Sequence, residues 1–433
     1  MTKSDKKNQV DNSKQHLIVI GGGFAGLNFI KKINRKKYDI TLIDRNNYHT
    51  FPPLFYQVAS SGLDPASISF PLRREISSRA KGVTFNMGDV KVIDPEKKII
   101  KTQYETLSYD LLVVAAGTTN NFYGIPRLEE KVFTIKSASE AIRCRNDILV
   151  RLERASMIGD EEKRRKMLTF TIIGGGPTGV EIAGALGEMK KYILKREYPG
   201  LSPEDVTVNI IEGSDRLLRT MSEKASMNAE KYMKELMVNV YLNKTMDKYE
   251  EKVITFNDGE QMYSEMLIWT AGIIGESFEF VNIKPEVGPG KRLLVDEFNR
   301  VNGLNDVYAI GDICIHTDEK YPRGCPQLAQ VAIQQANTLV KNLNKNKFEH
   351  PFKYKDKGTM ATVGRNRAVC DLKKLKFAGW FAWIIWMFIH LISILGMKNR
   401  ISVLLSWVWS YFTYSSGSRL ILRPTTYPLR DTK

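Results

Sequence analysis

Apolar residues in this chain gather in short continuous runs that end on glycine, and the clearest runs occur twice. His16 to Ile30 reads HLIVIGGGFAGLNFI: an apolar strand, then Gly21, Gly23 and Gly26 at GxGxxG spacing, then a helix. Leu168 to Ile182, LTFTIIGGGPTGVEI, repeats this with Gly174, Gly176 and Gly179, and Pro177 suits a first helical turn. The same pattern predicts strands near Val83 to Val92, Lys98 to Thr102, Tyr109 to Ala116, Val206 to Glu212, Glu251 to Phe256, Met266 to Gly272 and Asp306 to Asp312. Pro326 to Ala336 has helical spacing, with Gln330 and Gln334 on one face. The stretch from Asn46 to Ile76 is proline-punctuated and aromatic, too irregular for a regular helix and too apolar for a free linker.

A strand entering GxGxxG and a helix is a dinucleotide cradle. The first glycine permits a tight turn, the second lets backbone N–H groups approach a pyrophosphate, and the third lets the helix lie close on the strand. An acid closes the next strand in each half, Asp44 in YDITLID and Glu212 in VTVNIIEG, where a ribose-binding carboxylate is expected. Ala115-Ala116-Gly117 and Ala271-Gly272 end strands on small residues, which admit either an ordinary turn or close approach of backbone to a ligand. Cradle, acid and small strand end recur together, so the chain reads as two related nucleotide domains. A protein that holds two dinucleotides is expected to pass a hydride between them.

With 433 residues and 43% hydrophobic content, the chain can form two cores and a further region. The net charge of +16 suits nucleic acid, anionic lipid or an anionic substrate. No nucleic-acid motif accompanies it. Cys144, Cys314, Cys325 and Cys370 are scattered without CxxC, which argues against a redox cysteine pair or iron–sulfur cluster and fits a reducing compartment. The polar start, residues 1–15, lacks the apolar core of a signal peptide, so the nucleotide domains are expected in the cytosol.

The tail differs in character. Phe377 to Met397 holds 21 residues without a formal charge, flanked by Lys373, Lys374, Lys376, Lys398 and Arg400. Such a helix is long enough to span a bilayer, yet Trp380, Trp383 and Trp386 recur along one side toward its middle rather than at its ends. That predicts a helix lying in an anionic lipid interface. A buried interface in a homodimer and a true span are the competing readings, and His390 is expected to be a packed or interfacial residue rather than a ligand.

Both cradles, NNYHTFPPLFYQVASSGL, GGGPTGVEIAGALGEM, AIGD, PQLAQVAIQQA and GTMATVGRNRAVCDL together resemble the type II NADH dehydrogenases, single-subunit NADH:quinone oxidoreductases that use FAD and do not pump protons. The resemblance covers nearly the whole chain. It implies an α/β fold of two Rossmann-like domains of the glutathione reductase kind plus a helical membrane-associating segment. The FAD domain would take 16–122 and 291–372, the NADH domain 123–290 and the anchor 373–433. FAD would meet Gly21, Gly22, Gly23, Phe24, Ala25, Gly26, Asp44, Arg45, Ala116, Gly117, Gly311, Asp312, Ala329 and Gln330. NADH would meet Gly174, Gly176, Pro177, Thr178, Gly179, Glu212, Ala271 and Gly272, with Glu181 near the nicotinamide. Gln330 and Gln334 match an AQxxxQ pattern on the quinone side; some members carry histidine where Ile333 stands, so a protonation role there does not transfer. No metal is required. The implied location is the cytoplasmic face of the inner membrane, without a span. Sulfide:quinone oxidoreductase, needing cysteines not obviously placed here, or another two-dinucleotide flavoprotein reductase is the alternative enzyme, and a non-enzymatic redox-sensing protein that binds NADH and FAD is the alternative of another class.

Overall fold

The computed structural model describes residues 14–413 and 418–421; most of the 1–15 arm and part of the 373–433 tail lie outside the described residues. Packing divides the chain into two units, Met1–His49 with Phe70–Thr119 and Ile273–Asp356, and Thr50–Ser69 with Asn120–Gly272 and Lys357–Lys433.

In the first unit, Gln15–Ile20 is the central strand of a parallel sheet. Across the sheet the order is Val307–Ala309, Leu111–Val114, Gln15–Ile20, Tyr38–Asp44 and Val83–Met87. Leu17, Ile18 and Val19 are fully buried, which is what an apolar run covered on both faces requires. The first strand thus lies between the second and fourth, so the direction of winding reverses beside it. An antiparallel meander, Val90–Asp94, Ile99–Thr102 and Thr106–Ser108, fills the chain between the third and fourth strands. Helix Ala329–Lys345 buries Val331, Ala332, Gln335, Ala336, Leu339 and Val340. It packs on Phe24–Lys32, and Leu343 O accepts from the Tyr38 hydroxyl at 3.1 Å.

The second unit repeats this succession. Its parallel sheet runs Asn239–Tyr241, Thr207–Ile211, Thr169–Ile173, Met266–Trp269, and its meander is Met246–Glu250, Val253–Phe256, Gln261–Tyr263. Helix Pro177–Glu188 starts on Pro177, whose missing N–H has no helical partner to lose. The irregular stretch resolves into single turns begun by proline, Pro52–Leu54 and Pro65–Ile68, and short helices Phe55–Ala59 and Leu72–Arg79.

The tail differs from expectation. Residues 377–397 are not one helix: strand Lys376–Ala378 leads into helix Trp380–Ser393, and a second helix, Met397–Thr413, follows. Gly379 and Gly396, at φ of 94° and 82°, supply left-handed turns that break the run. Helix Trp380–Ser393 has 14 residues, hence a length of about 21 Å against about 30 Å of hydrocarbon. Among the described residues no helix is long and apolar enough to cross a membrane. Nor do the tryptophans share one outer face. Trp380 is 56% exposed while Trp386 is 1% exposed; Trp383 stacks on Tyr411 and Trp386 on His390, centroids 3.9 Å apart. A spacing of three and six residues rotates successive side chains far enough around a helix to separate them.

The tail is therefore part of the second unit's core. Asn399 donates to Ser69 O at 2.9 Å, Trp407 Nε1 to Gln57 Oε1 at 2.8 Å, and Ala382 and Val403 are fully buried. Deleting residues 373–433 is expected to uncover Tyr56 and Gln57 as well as remove the tail, lowering the melting temperature and raising dye binding to exposed apolar surface. An unchanged melting transition would show the tail to be a detachable anchor.

Candidate functional site

Both cradles form at the carboxyl edge of a parallel sheet because neighbouring strands end in register. Ile20 pairs with Ile43 and Val114, and Val114 with Ala309, so the residues that follow leave the sheet together. These are Gly21, Asp44, Ala115 to Gly117 and Gly311 to Asp312. In the second sheet Ile173 pairs with Ile211 and Trp269, bringing together Gly174, Glu212 and Thr270 to Gly272.

The two turns open in the same way. Gly21 N donates to Ile43 O at 2.7 Å and Gly174 N to Ile211 O at 2.8 Å, with φ of 103° and 111°. A methyl group at Gly26 would collide with Gly21 O, and one at Gly179 with Gly174 O. Beside Gly23 and Gly176 nothing lies within 4 Å of such a methyl, so the face where the helix begins is open. Backbone N–H groups at an open helix N-terminus suit a phosphate.

The two acids have a task that sequence reasoning missed. Asp44 Oδ2 accepts from Gly22 N at 2.7 Å and Oδ1 from Asn46 N at 2.7 Å; Glu212 accepts from Gly175 N at 2.6 Å and Ser214 N at 2.8 Å. Each carboxylate ties the glycine loop to the strand end and has further lone pairs beyond these two bonds. Burial pushes the Asp44 carboxyl above its ordinary value, opposed by those two N–H groups. Arg45 is engaged by Glu276 at 3.0 Å and Asp89 at 3.5 Å.

The rims differ. Gly117, at φ 73°, faces open space, whereas a methyl at Gly272 would strike the Tyr123 hydroxyl. Gly311 fits between Ala25 and Ala332 and donates to Gln335 Oε1 at 2.7 Å. Gln335 was not singled out from sequence, though it falls on the helix's apolar face. Gln334 exchanges hydrogen bonds with the Lys355 main chain, at 2.9 and 3.0 Å, so both ends of its amide are engaged; Ala329 opens the helix and Gln330 is half-buried one turn before Gln334.

Glu181 lies on the helix that begins at Pro177 and is buried. Burial holds its carboxyl well above the usual range, opposed by a hydrogen bond from the Thr362 N–H. Around it runs a chain of polar groups: Tyr56 hydroxyl to Thr362 Oγ1 at 3.0 Å, Gln57 Nε2 to the Tyr56 hydroxyl at 2.9 Å, and Trp407 Nε1 to Gln57 Oε1. Indole N–H can only donate, which fixes the Gln57 amide and directs the Tyr56 proton to Thr362. His390 is packed on Trp386, its Nδ1 2.8 Å from Trp386 O, and burial lowers its pKa to about 4. All four cysteines are free and buried, and no metal-binding cluster occurs among the described residues.

Two cradles on two wound sheets, with no cysteine pair at hand, define a two-dinucleotide reductase fold. The model described as pyridine nucleotide-disulphide oxidoreductase matches residues 15–336, and the one described as NDH2 C-terminal domain matches 357–414. The chain is 31% identical over 446 residues to the type II NADH:quinone oxidoreductase NdhA of Mycobacterium tuberculosis, covering 99% of this chain and 93% of that protein. It is 27% identical to the mitochondrial internal alternative NAD(P)H-ubiquinone oxidoreductase A1 of Arabidopsis thaliana, covering 95% and 86%. In fold it is similar to NDH2 from Plasmodium falciparum in complex with NADH, with a TM-score of 0.86, 22% identity, and 95% and 100% of the two chains covered. The sulfide:quinone oxidoreductase of Aquifex aeolicus shares the fold at a TM-score of 0.70 and 19% identity, covering 95% and 96%. The chain belongs to the type II NADH:quinone oxidoreductase family.

The raised pKa of Glu181 has a definite sign in stability. Above the ordinary carboxylate range the unfolded chain ionises while the folded state keeps its proton, so stability is lost as pH rises. Glu181→Gln, which retains an acceptor for Thr362 N–H, is expected to melt higher than the parent by a margin that grows between about pH 5 and about pH 8. A margin independent of pH would mean that Glu181 is ionised in the fold.

Proposed function

We propose that the first cradle holds FAD, the second holds NADH, and the protein oxidises NADH and reduces a membrane quinone. The observation that carries this is the repeated glycine turn whose central residue, Gly23 or Gly176, faces open space. When bound, FAD accepts hydride from NADH and passes two electrons to the quinone. The chain's own groups bind and orient. Gly21 to Gly26, Asp44 and Arg45 take the adenosine diphosphate end of FAD, and Ala116, Gly117, Gly311, Asp312, Ala329 and Gln330 border its remainder. Gly174, Gly176, Pro177, Thr178, Gly179 and Glu212 take that end of NADH, with Ala271 and Gly272 at its rim. Glu181, whose carboxyl burial pushes well above the usual range, stands near the nicotinamide. Gln330 supplies the amide on the quinone side, while Gln334, engaged by Lys355, steadies that helix. No step in this scheme requires proton translocation.

The tail exposes Phe381, Phe388, Leu405, Trp409 and Phe412. With Lys373, Lys374, Lys376, Lys398 and Arg400 around it, this surface suits anionic headgroups on the cytoplasmic face of the inner membrane. Flotation with phosphatidylglycerol vesicles, weaker at high salt and weaker with phosphatidylcholine, is the expected result. Salt-independent loss of flotation together with a dimer in sedimentation would assign the face to a second copy.

Denatured protein is expected to release FAD rather than FMN, and the native enzyme to oxidise NADH with a water-soluble quinone in preference to NADPH. Glu212→Gln should raise the NADH KM several-fold with a small change in kcat, since one of its two main-chain contacts and the ribose acceptor are weakened. Equal efficiency with NADPH in the parent, or an unchanged KM in the variant, would remove Glu212 from the site.

A further inference from the structure

His49 belongs to the NNYHTF segment, and none of the roles above uses it. It is buried, its Nδ1 is 2.9 Å from Gly22 O, and its ring meets Phe24 edge-on, centroids 5.4 Å apart. A carbonyl oxygen only accepts, so Nδ1 carries the proton and donates. Burial lowers the imidazole pKa and keeps the ring neutral.

The peptide between Gly22 and Gly23 is trans, as is every peptide bond among the described residues. Its carbonyl and N–H therefore point in opposite directions. Holding Gly22 O against His49 aims the Gly23 N–H away from His49. Gly22 N is held by Asp44 Oδ2, so the glycine is gripped on both sides. In the second cradle Gly175 N is held likewise by Glu212, but Gly175 O accepts from a main-chain group, Leu218 N, at 2.8 Å. The same clamp is thus built twice, once from backbone and once from a side chain. We propose that His49 is a positioning residue for FAD, acting through the Gly22 carbonyl to present the Gly23 N–H to the cofactor's pyrophosphate. This rests on the assignment of FAD to the first cradle.

The test compares His49→Leu with His49→Asn, which are close in shape and differ in the donor, using the full-length protein stripped of flavin and retitrated with FAD. Leucine leaves a buried carbonyl unpaired, so FAD binding should weaken about tenfold or more. Asparagine, with Nδ2 near the place of Nδ1, should restore most of the affinity. NADH affinity should stay close to the parent's, because the second cradle uses Leu218, while the flavin-free protein should melt lower than the parent in His49→Leu and recover most of the difference in His49→Asn. If His49→Leu fails to fold, His49→Met carries the same expectation, since a thioether has no proton to offer. Parental FAD affinity in His49→Leu, or equal weakening by leucine and asparagine, would overturn the clamp. A parent protein that takes up no FAD would instead refute the cradle assignment beneath it.

Discussion

A methyl group that is absent governs both halves of this protein. At Gly26 and Gly179 the chain must pass so close to the carbonyl of Gly21 or Gly174 that no Cβ fits. That approach sets the distance between first strand and first helix, and so brings the helix's first N–H groups to the edge where the neighbouring strands end. Asp44 and Glu212 then fasten the loop by accepting from Gly22 N and Gly175 N. The remaining architecture presents this turn: buried parallel strands keep the edges in register, and an antiparallel meander in each half carries the chain from the third strand to the fourth.

The halves have diverged where ligand identity would be decided. The first keeps an open Gly117 and closes its glycine loop with an imidazole; the second covers Gly272 with Tyr123 and closes its loop with a main-chain amide. The first adds the Ala329–Lys345 helix, whose Gln335 holds Gly311. The second adds a buried Glu181 and the tail that encloses its neighbours. One scaffold, used twice, has acquired two sets of rims.

The glycine turns, the closing acids and the small strand ends were legible in the sequence because each is a local pattern with one geometric cause. The short strands were legible as well, since Leu17 to Val19 and Leu111 to Val114 are apolar without interruption. Other features depend on partners far along the chain. Tyr56 and Thr362 are 306 residues apart, and no periodicity near either announces the other. Gln335 was overlooked beside Gln334 because an amide on an apolar face looks like an ordinary polar residue until its acceptor is known. The tail was misjudged for a different reason: charge-free length suggested one helix, while the breaks lie in the left-handed turns at Gly379 and Gly396. Trp386, expected in the lipid interface, is core.

The hydrogen bond from Trp407 to Gln57 joins residues 350 positions apart. During synthesis at roughly 5–20 residues per second, Gln57 would wait on the order of 20–70 s for that partner. Tyr56 would wait nearly as long for Thr362. The second nucleotide sheet can form meanwhile from residues 120–272, but the early segment 50–69 completes its packing last. Nascent chains stalled before helix Met397–Thr413 would therefore carry an aromatic surface at Tyr56 and Gln57 that the tail has not yet covered, a second exposed apolar patch that the finished protein does not have.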